Sequence, residues 1–124
     1  MKVLIVDDTD LIRKLIRDML PSLPFSISSE EATEVSQALS ILSWSKPDVV
    51  TLDLQLPGGS GLDVLRAIKQ AGLSSTVIVL TSLADPQIRK ACLDAGAAYF
   101  LDKSSEIEQL PAILRALAEK IPNS

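Results

Sequence analysis

Apolar residues fall along this chain in two alternating rhythms. Short, nearly continuous runs rich in Val, Ile and Leu are separated by longer stretches in which apolar positions recur at steps of three and four. The short runs fit strands buried on both faces and the longer stretches fit amphipathic helices, so the alternation predicts βαβ units around a parallel sheet. Lys2 to Val6 is the first strand. Asp10 is placed to cap a helix running to about Leu20 and stopped by Pro21, with Leu11, Leu15 and Met19 sharing a face with Ile12 and Ile16. Phe25 to Ser29 reads as a weak second strand.

The rhythm continues through the rest of the chain. Thr33 or a neighbour opens a helix with Val35, Ala38, Leu39 and Leu42 in one stripe, and Lys46-Pro47-Asp48 turns into a strand from Val49 to Leu54. Pro57 to Gly61 is a glycine-rich loop in which at least one residue needs positive φ; a helix with Leu62, Leu65 and Ile68 inward follows and stops at Gly72. Thr76 to Leu80 is a β-branched fourth strand, and Asp85-Pro86 is an N-cap and first-turn proline for a helix ending at Gly96. Ala98 to Leu101 is the fifth strand. Ser105 and Glu108 have capping-box spacing, but Pro111 lacks an amide hydrogen. A turn therefore precedes the last helix, Pro111 to Lys120, with Ile113, Leu114, Leu117 and Ile121 inward. The expected fold is α/β, a doubly wound parallel sheet of about five strands, forming a single domain over residues 1–124 with no room for a second, output domain.

Composition narrows the chemistry. The 47% hydrophobic content supplies a core for one domain, and the single cysteine, Cys92, sits among Ile88, Ala91 and Ala95 as an apolar filler, which suits a reducing compartment. No apolar run approaches the roughly 20 residues needed to span a bilayer, so a cytoplasmic location without membrane contact is expected. A net charge of −4 with scattered Lys and Arg argues against nucleic-acid binding. There is no histidine, so triads and zinc sites that depend on it are excluded; carboxylates, hydroxyls and amines remain.

In an open parallel sheet the ligand site lies beyond the carboxyl ends of the strands. There the first strand delivers Asp7 and Asp8, the third Asp53, the fourth Thr81 and Ser82, and the fifth leads to Lys103. No glycine-rich phosphate cradle follows the first strand. Three acidic side chains in one crevice call for a divalent cation, and hard oxygen ligands suit Mg²⁺. A carboxylate can also attack a phosphoryl group, with the metal and the Lys103 ammonium offsetting charge and the Thr81 hydroxyl donating a hydrogen bond. Singly, each residue has a plainer role: the Asp7-Asp8 pair as helix caps, Asp53 as a turn former, Thr81 as a strand residue, Lys103 as a solvated cation. Their arrival at one end of different strands is what those roles do not explain.

KVLIVDD at the start, VVTLDLQLPGGSGLDVLRAIK around Asp53, VIVLTS ending at Thr81-Ser82 and GAAYFLDKS containing Lys103 closely resemble the bacterial response-regulator receiver family over essentially the whole chain. The resemblance implies a flavodoxin-like (βα)₅ domain phosphorylated on Asp53 by a sensor histidine kinase or phosphotransfer protein, which then changes its binding to a downstream protein target. It further implies Mg²⁺ held by the carboxylates of Asp8 and Asp53 and the Gln55 backbone carbonyl, with Asp7 acting through a metal-bound water. It also implies that Thr81 moves to contact the phosphoryl group while an aromatic residue of the fifth strand turns inward; by offset from Lys103 that residue is Phe100 rather than Tyr99, and a local irregularity in the strand would swap the two. Ser104 stands where many members have proline, often after a cis bond, and Gln55 and Leu83 would flank the path of attacking water. The resemblance implies a monomer or weak dimer that is not an enzyme acting on a separate substrate. A haloacid-dehalogenase-type phosphatase is the nearest rival, but Gln55 stands where its acid–base aspartate belongs; a receiver binding constitutively without phosphorylation is a third reading.

Overall fold

The computed structural model describes residues 1–121; residues 122–124 of the expected domain lie outside the described residues. In chain order the elements are β1 (Lys2–Val6), α1 (Asp10–Met19), β2 (Ser28–Ala32), α2 (Val35–Ser45), β3 (Val49–Leu52), β4 (Gln55–Leu56), β5 (Gly59–Ser60), α3 (Gly61–Gln70), β6 (Thr76–Thr81), α4 (Pro86–Asp94), β7 (Tyr99–Asp102) and α5 (Leu110–Glu119). Five strands form one parallel sheet in the order β2-β1-β3-β6-β7, while β4 and β5 make a separate antiparallel hairpin within the glycine-rich loop. This is the doubly wound parallel sheet expected from the rhythm, with the five strands that the resemblance implies.

Period-two alternation divides the core into two lobes, one on each face of the sheet. Val3, Ile5, Val49, Ile78, Leu80 and Leu101 pack with Ile16 of α1 and Leu110 and Leu114 of α5. On the opposite face Leu4, Val6, Val50, Leu52, Val77, Val79 and Phe100 pack with residues of α2 and α3 and with Cys92 of α4. Strand order reverses between β1 and β3, since β2 lies outside β1 while β3, β6 and β7 extend the other way. That reversal opens a crevice at the carboxyl ends of the two central strands.

Several expectations change in detail. The second strand is not Phe25 to Ser29 but Ser28–Ala32, an edge strand, with Phe25 and Ile27 packed against the α1/α5 lobe before it begins. Its acidic side chains face the flanking helices: Glu31 binds Arg13 and Arg17 of α1, and Glu30 accepts from the Ser45 hydroxyl of α2. These polar contacts add to the parallel ladder with β1 and to the buried Ala32 at the strand's end. In α1 the inward residues are Ile12, Ile16 and Met19, whereas Leu11 is 63% and Leu15 46% exposed. Thr9 precedes the helix and Asp10 is its first residue, so Asp10 is not the cap. Glu34, the neighbour of Thr33, is the N-cap of α2 as expected, but Leu39 faces solvent.

Other local signals behave as expected. Asp85 accepts the amides of Gln87 and Ile88, capping α4, and Gly72 and Gly96 take positive φ after α3 and α4. A 3₁₀ turn, Ile107–Gln109, precedes α5. No peptide bond among the described residues is cis, in keeping with Ser104 after Lys103.

Candidate functional site

Val6 and Leu52 are paired where β1 and β3 end, so the next residue of each strand enters the crevice beside the other. The Asp53 amide donates to the Val6 carbonyl at 2.9 Å and the Asp7 amide to the Ala32 carbonyl at 3.0 Å, which carries both aspartates past the ladder in extended backbone. The two residues are only 2% and 3% exposed, for Asp7 and Asp53 respectively, while Asp8 opens to solvent. Oxygens of Asp7, Asp8 and Asp53 lie within 4.8 Å of one another.

Each buried carboxylate divides its two oxygens. Asp7 Oδ1 accepts the Thr9 amide at 2.8 Å and Asp53 Oδ1 the Gln55 amide at 3.1 Å. Their Oδ2 atoms face Lys103, whose Nζ stands 2.7 Å from Asp7 and 2.8 Å from Asp53. Burial works against the Lys103 ammonium, but hydrogen bonds and charge from Asp53 and Asp7 outweigh it and hold its pKa above the ordinary lysine value. One ammonium among three carboxylates leaves negative charge in excess. The oxygen-only donor set, with one member open to solvent, fits a hard divalent cation.

Two residues with no assigned role in the sequence shape this crevice. Arg13 reaches back from α1 so that Nη1 donates to the Asp7 carbonyl at 2.7 Å, while Nε donates to Glu31 at 3.1 Å and the guanidinium also pairs with Asp10. It ties the acidic loop to the edge of the sheet. Gly61 begins α3 against the backbone of Asp53: its amide donates to the Leu54 carbonyl at 2.9 Å. A Cβ there would overlap the Asp53 carbonyl and come within 2.8 Å of Leu54 Cα. The signal for Gly61 lay in a glycine at a helix start, where close backbone approach is one reason for the residue; nothing in the pattern pointed to Arg13.

The remaining expected site residues sit around the crevice without all converging on it. Gln55 opens the β4–β5 hairpin, with its side chain exposed. Thr81 ends β6 fully buried, and its Oγ1 accepts the Leu83 amide at 3.2 Å. Phe100 is 5% exposed inside the α2–α4 lobe, with the Arg89 guanidinium 5.9 Å from its ring centroid, whereas Tyr99 is half-buried against the other lobe.

Residues 3–115 match the response regulator receiver domain family model. The response regulator MprA of Mycolicibacterium vanbaalenii is 34% identical over 119 residues, covering 96% of this chain and 51% of that protein. The signal receiver domain of a DNA-binding response regulator from Colwellia psychrerythraea superposes with a TM-score of 0.87 at 25% identity, covering 96% of this chain and 98% of that one. The BeF₃-activated receiver domain of Klebsiella pneumoniae RstA does so at 0.83 and 25%, with 95% and 98% covered. The chain belongs to the response regulator receiver domain family, the phosphorylation-dependent switches of two-component signalling. It spans about half the length of the curated relatives it matches. Receivers are as a rule switches and not enzymes; they hold a divalent cation in their acidic pocket and interact with histidine kinases or phosphotransfer proteins. Among the described residues no helix is long and apolar enough to cross a membrane.

Proposed function

We propose that Asp53 is the acceptor of the phosphoryl group, delivered by a sensor histidine kinase or phosphotransfer protein, and that its modification alters the surface offered to a downstream protein. The observation that carries this reading is the convergence of the Asp7, Asp8 and Asp53 carboxylates within 4.8 Å, with Lys103 bridging two of them. Asp53 keeps one oxygen on the Gln55 amide and the other on an ammonium, so its nucleophilic carboxylate is held in place before any donor arrives. Asp8, Asp53 and the Gln55 carbonyl would hold Mg²⁺, with Asp7 acting through water. The cation supplies charge compensation for a phosphoryl group that the carboxylates would otherwise repel.

Lys103 adds a second positive charge on the side of Asp7 and Asp53. The Thr81 oxygen accepts the Leu83 amide, which leaves the hydroxyl proton free to donate to a phosphoryl oxygen, and Phe100 lies in the lobe that Val77 and Val79 of the same strand enter. In this reading the chain is a self-modifying substrate of its donor and converts no separate substrate. Exposure to acetyl phosphate, followed by intact-mass measurement, tests it. Wild type should gain one phosphoryl group with Mg²⁺ and none in EDTA, and Asp53→Asn should gain none. Equal labelling of Asp53→Asn and wild type would overturn the assignment.

A further inference from the structure

Lys103 is fixed at its tip by two carboxylates, but its root is fixed by a different set of contacts. Its amide donates to the Thr81 carbonyl at 2.9 Å, one step beyond the last residue of β7, and the chain then turns sharply toward α5. Asp102 is the centre of that turn. Its Oδ1 accepts both the amide of Ser104, at 2.9 Å, and the Ser104 hydroxyl, at 2.7 Å. Its own amide donates to Glu106 Oε1 at 2.9 Å, and its carbonyl accepts the amides of Glu106 at 2.8 Å and Ser105 at 3.3 Å. Asp102 and Glu106 thus bracket Lys103, though like charges so close in a chain of net charge −4 are unfavourable on a surface that needs only solvation.

The lysine side chain is a flexible stem, and holding its ammonium between two carboxylates while 13% exposed needs a backbone that does not wander. We infer that Asp102 and Glu106 are positioning residues that clamp the backbone on either side of Lys103 and so set its ammonium between Asp7 and Asp53. This rests on the reading of Asp53 as acceptor and of the acidic crevice as the cation site. Because the ammonium and a divalent cation share Asp7 and Asp53, a loosened clamp acts in opposite directions on two observables. Cation binding tightens as the competing ammonium withdraws, and phosphoryl uptake slows as its charge is lost from the reacting site. Plain structural damage would weaken both.

The test compares Asp102→Ala, Asp102→Asn, Lys103→Ala and the double variant Asp102→Ala/Lys103→Ala, by Mg²⁺ calorimetry and by the rate of labelling with acetyl phosphate. Asp102→Ala should label on the order of tenfold more slowly and bind Mg²⁺ about two- to threefold more tightly. Asp102→Asn, which keeps the side-chain oxygen, should return to near wild type, and without Lys103 the Asp102→Ala change should alter neither quantity. Wild-type behaviour of Asp102→Ala, or an equal change with and without Lys103, would overturn the clamp. If Asp102→Ala does not fold, Glu106→Ala removes the acceptor of the Asp102 amide and carries the same comparison. Should wild type take no label at all, the acceptor reading fails, and the Mg²⁺ arm alone decides the clamp.

Discussion

Thr51 lies on β3 between Ile5 of β1 and Ile78 of β6, fully buried, and its hydroxyl finds no hydrogen-bond partner among the described residues. A buried hydroxyl without a partner loses its hydration and gains nothing in return. Thr51→Val keeps the β-branched shape and removes the oxygen, so it should stabilise the fold by about 1 kcal/mol and raise the thermal midpoint by a few degrees. Calorimetric unfolding of the two proteins checks this, and labelling of Asp53 should not change. The acidic pair, Asp53 and Lys103 were legible in the sequence because charged residues at the ends of apolar runs stand out. Thr51 was not: a threonine inside a strand run reads as an ordinary β-branched residue, and only the arrangement of neighbouring strands leaves it without a partner.

At the scale of elements, α1 shows how a helix can be correctly expected and yet turned. Apolar spacing alone allows Leu11 and Leu15 to face the sheet, but Arg13 and Arg17 are drawn to Glu31 on the edge of β2, and Arg13 also holds the Asp7 carbonyl. Those contacts leave Ile12, Ile16 and Met19 inward and both leucines at the surface. β2 escaped its expected limits for a related reason, since it pairs with β1 while placing Glu30 and Glu31 against α2 and α1, a pattern that hydropathy cannot register. Arg13→Ala should therefore lower stability by about 1–2 kcal/mol, through a part-buried carbonyl left without its charged donor. It should also weaken Mg²⁺ binding, because the loop carrying Asp7 and Asp8 loses its tether. Urea unfolding and calorimetry measure the two effects; Arg13→Lys should recover neither, since one ammonium cannot span the Asp7 carbonyl and Glu31 together.

Across the whole molecule, the alternating rhythm made the parallel sheet legible, and the sheet in turn made the site legible, because strand order decides which loop residues meet. The state of Thr81 and Phe100 was not legible, since it depends on packing: the Thr81 oxygen accepts the Leu83 amide, and the ring is already inside its lobe beneath Arg89. Thr81→Ala should still accept a phosphoryl group on Asp53 but respond less to it, because a ligand shifts a conformational equilibrium only through contacts that differ between the two states. Phe100→Ala should lower stability by about 3–5 kcal/mol for an emptied aromatic position, and should blunt the response only through whatever packing of the ring changes when Asp53 is modified. Amide NMR shifts from Thr81 to Leu101 on beryllofluoride addition provide the readout. Full wild-type shift patterns in both variants would remove the pair from the switch.

The division of the core into two lobes has a consequence for inheritance. By strand alternation Asp7, Asp53 and Lys103 continue the rows of Val3 and Ile5, of Val49, and of Leu101, which pack under α1 and α5, whereas Thr81 and Phe100 belong to the rows packed under α2, α3 and α4. Random core substitutions should then sort into two phenotypes. Changes that disturb packing beneath α1 and α5 should yield deaf proteins that no longer take the signal, and those beneath the other three helices mute ones that take it and pass nothing on, while a shape-preserving change such as Thr51→Val should do neither. The sheet is the partition between them, so a lineage could retune its hearing and its speech in separate steps.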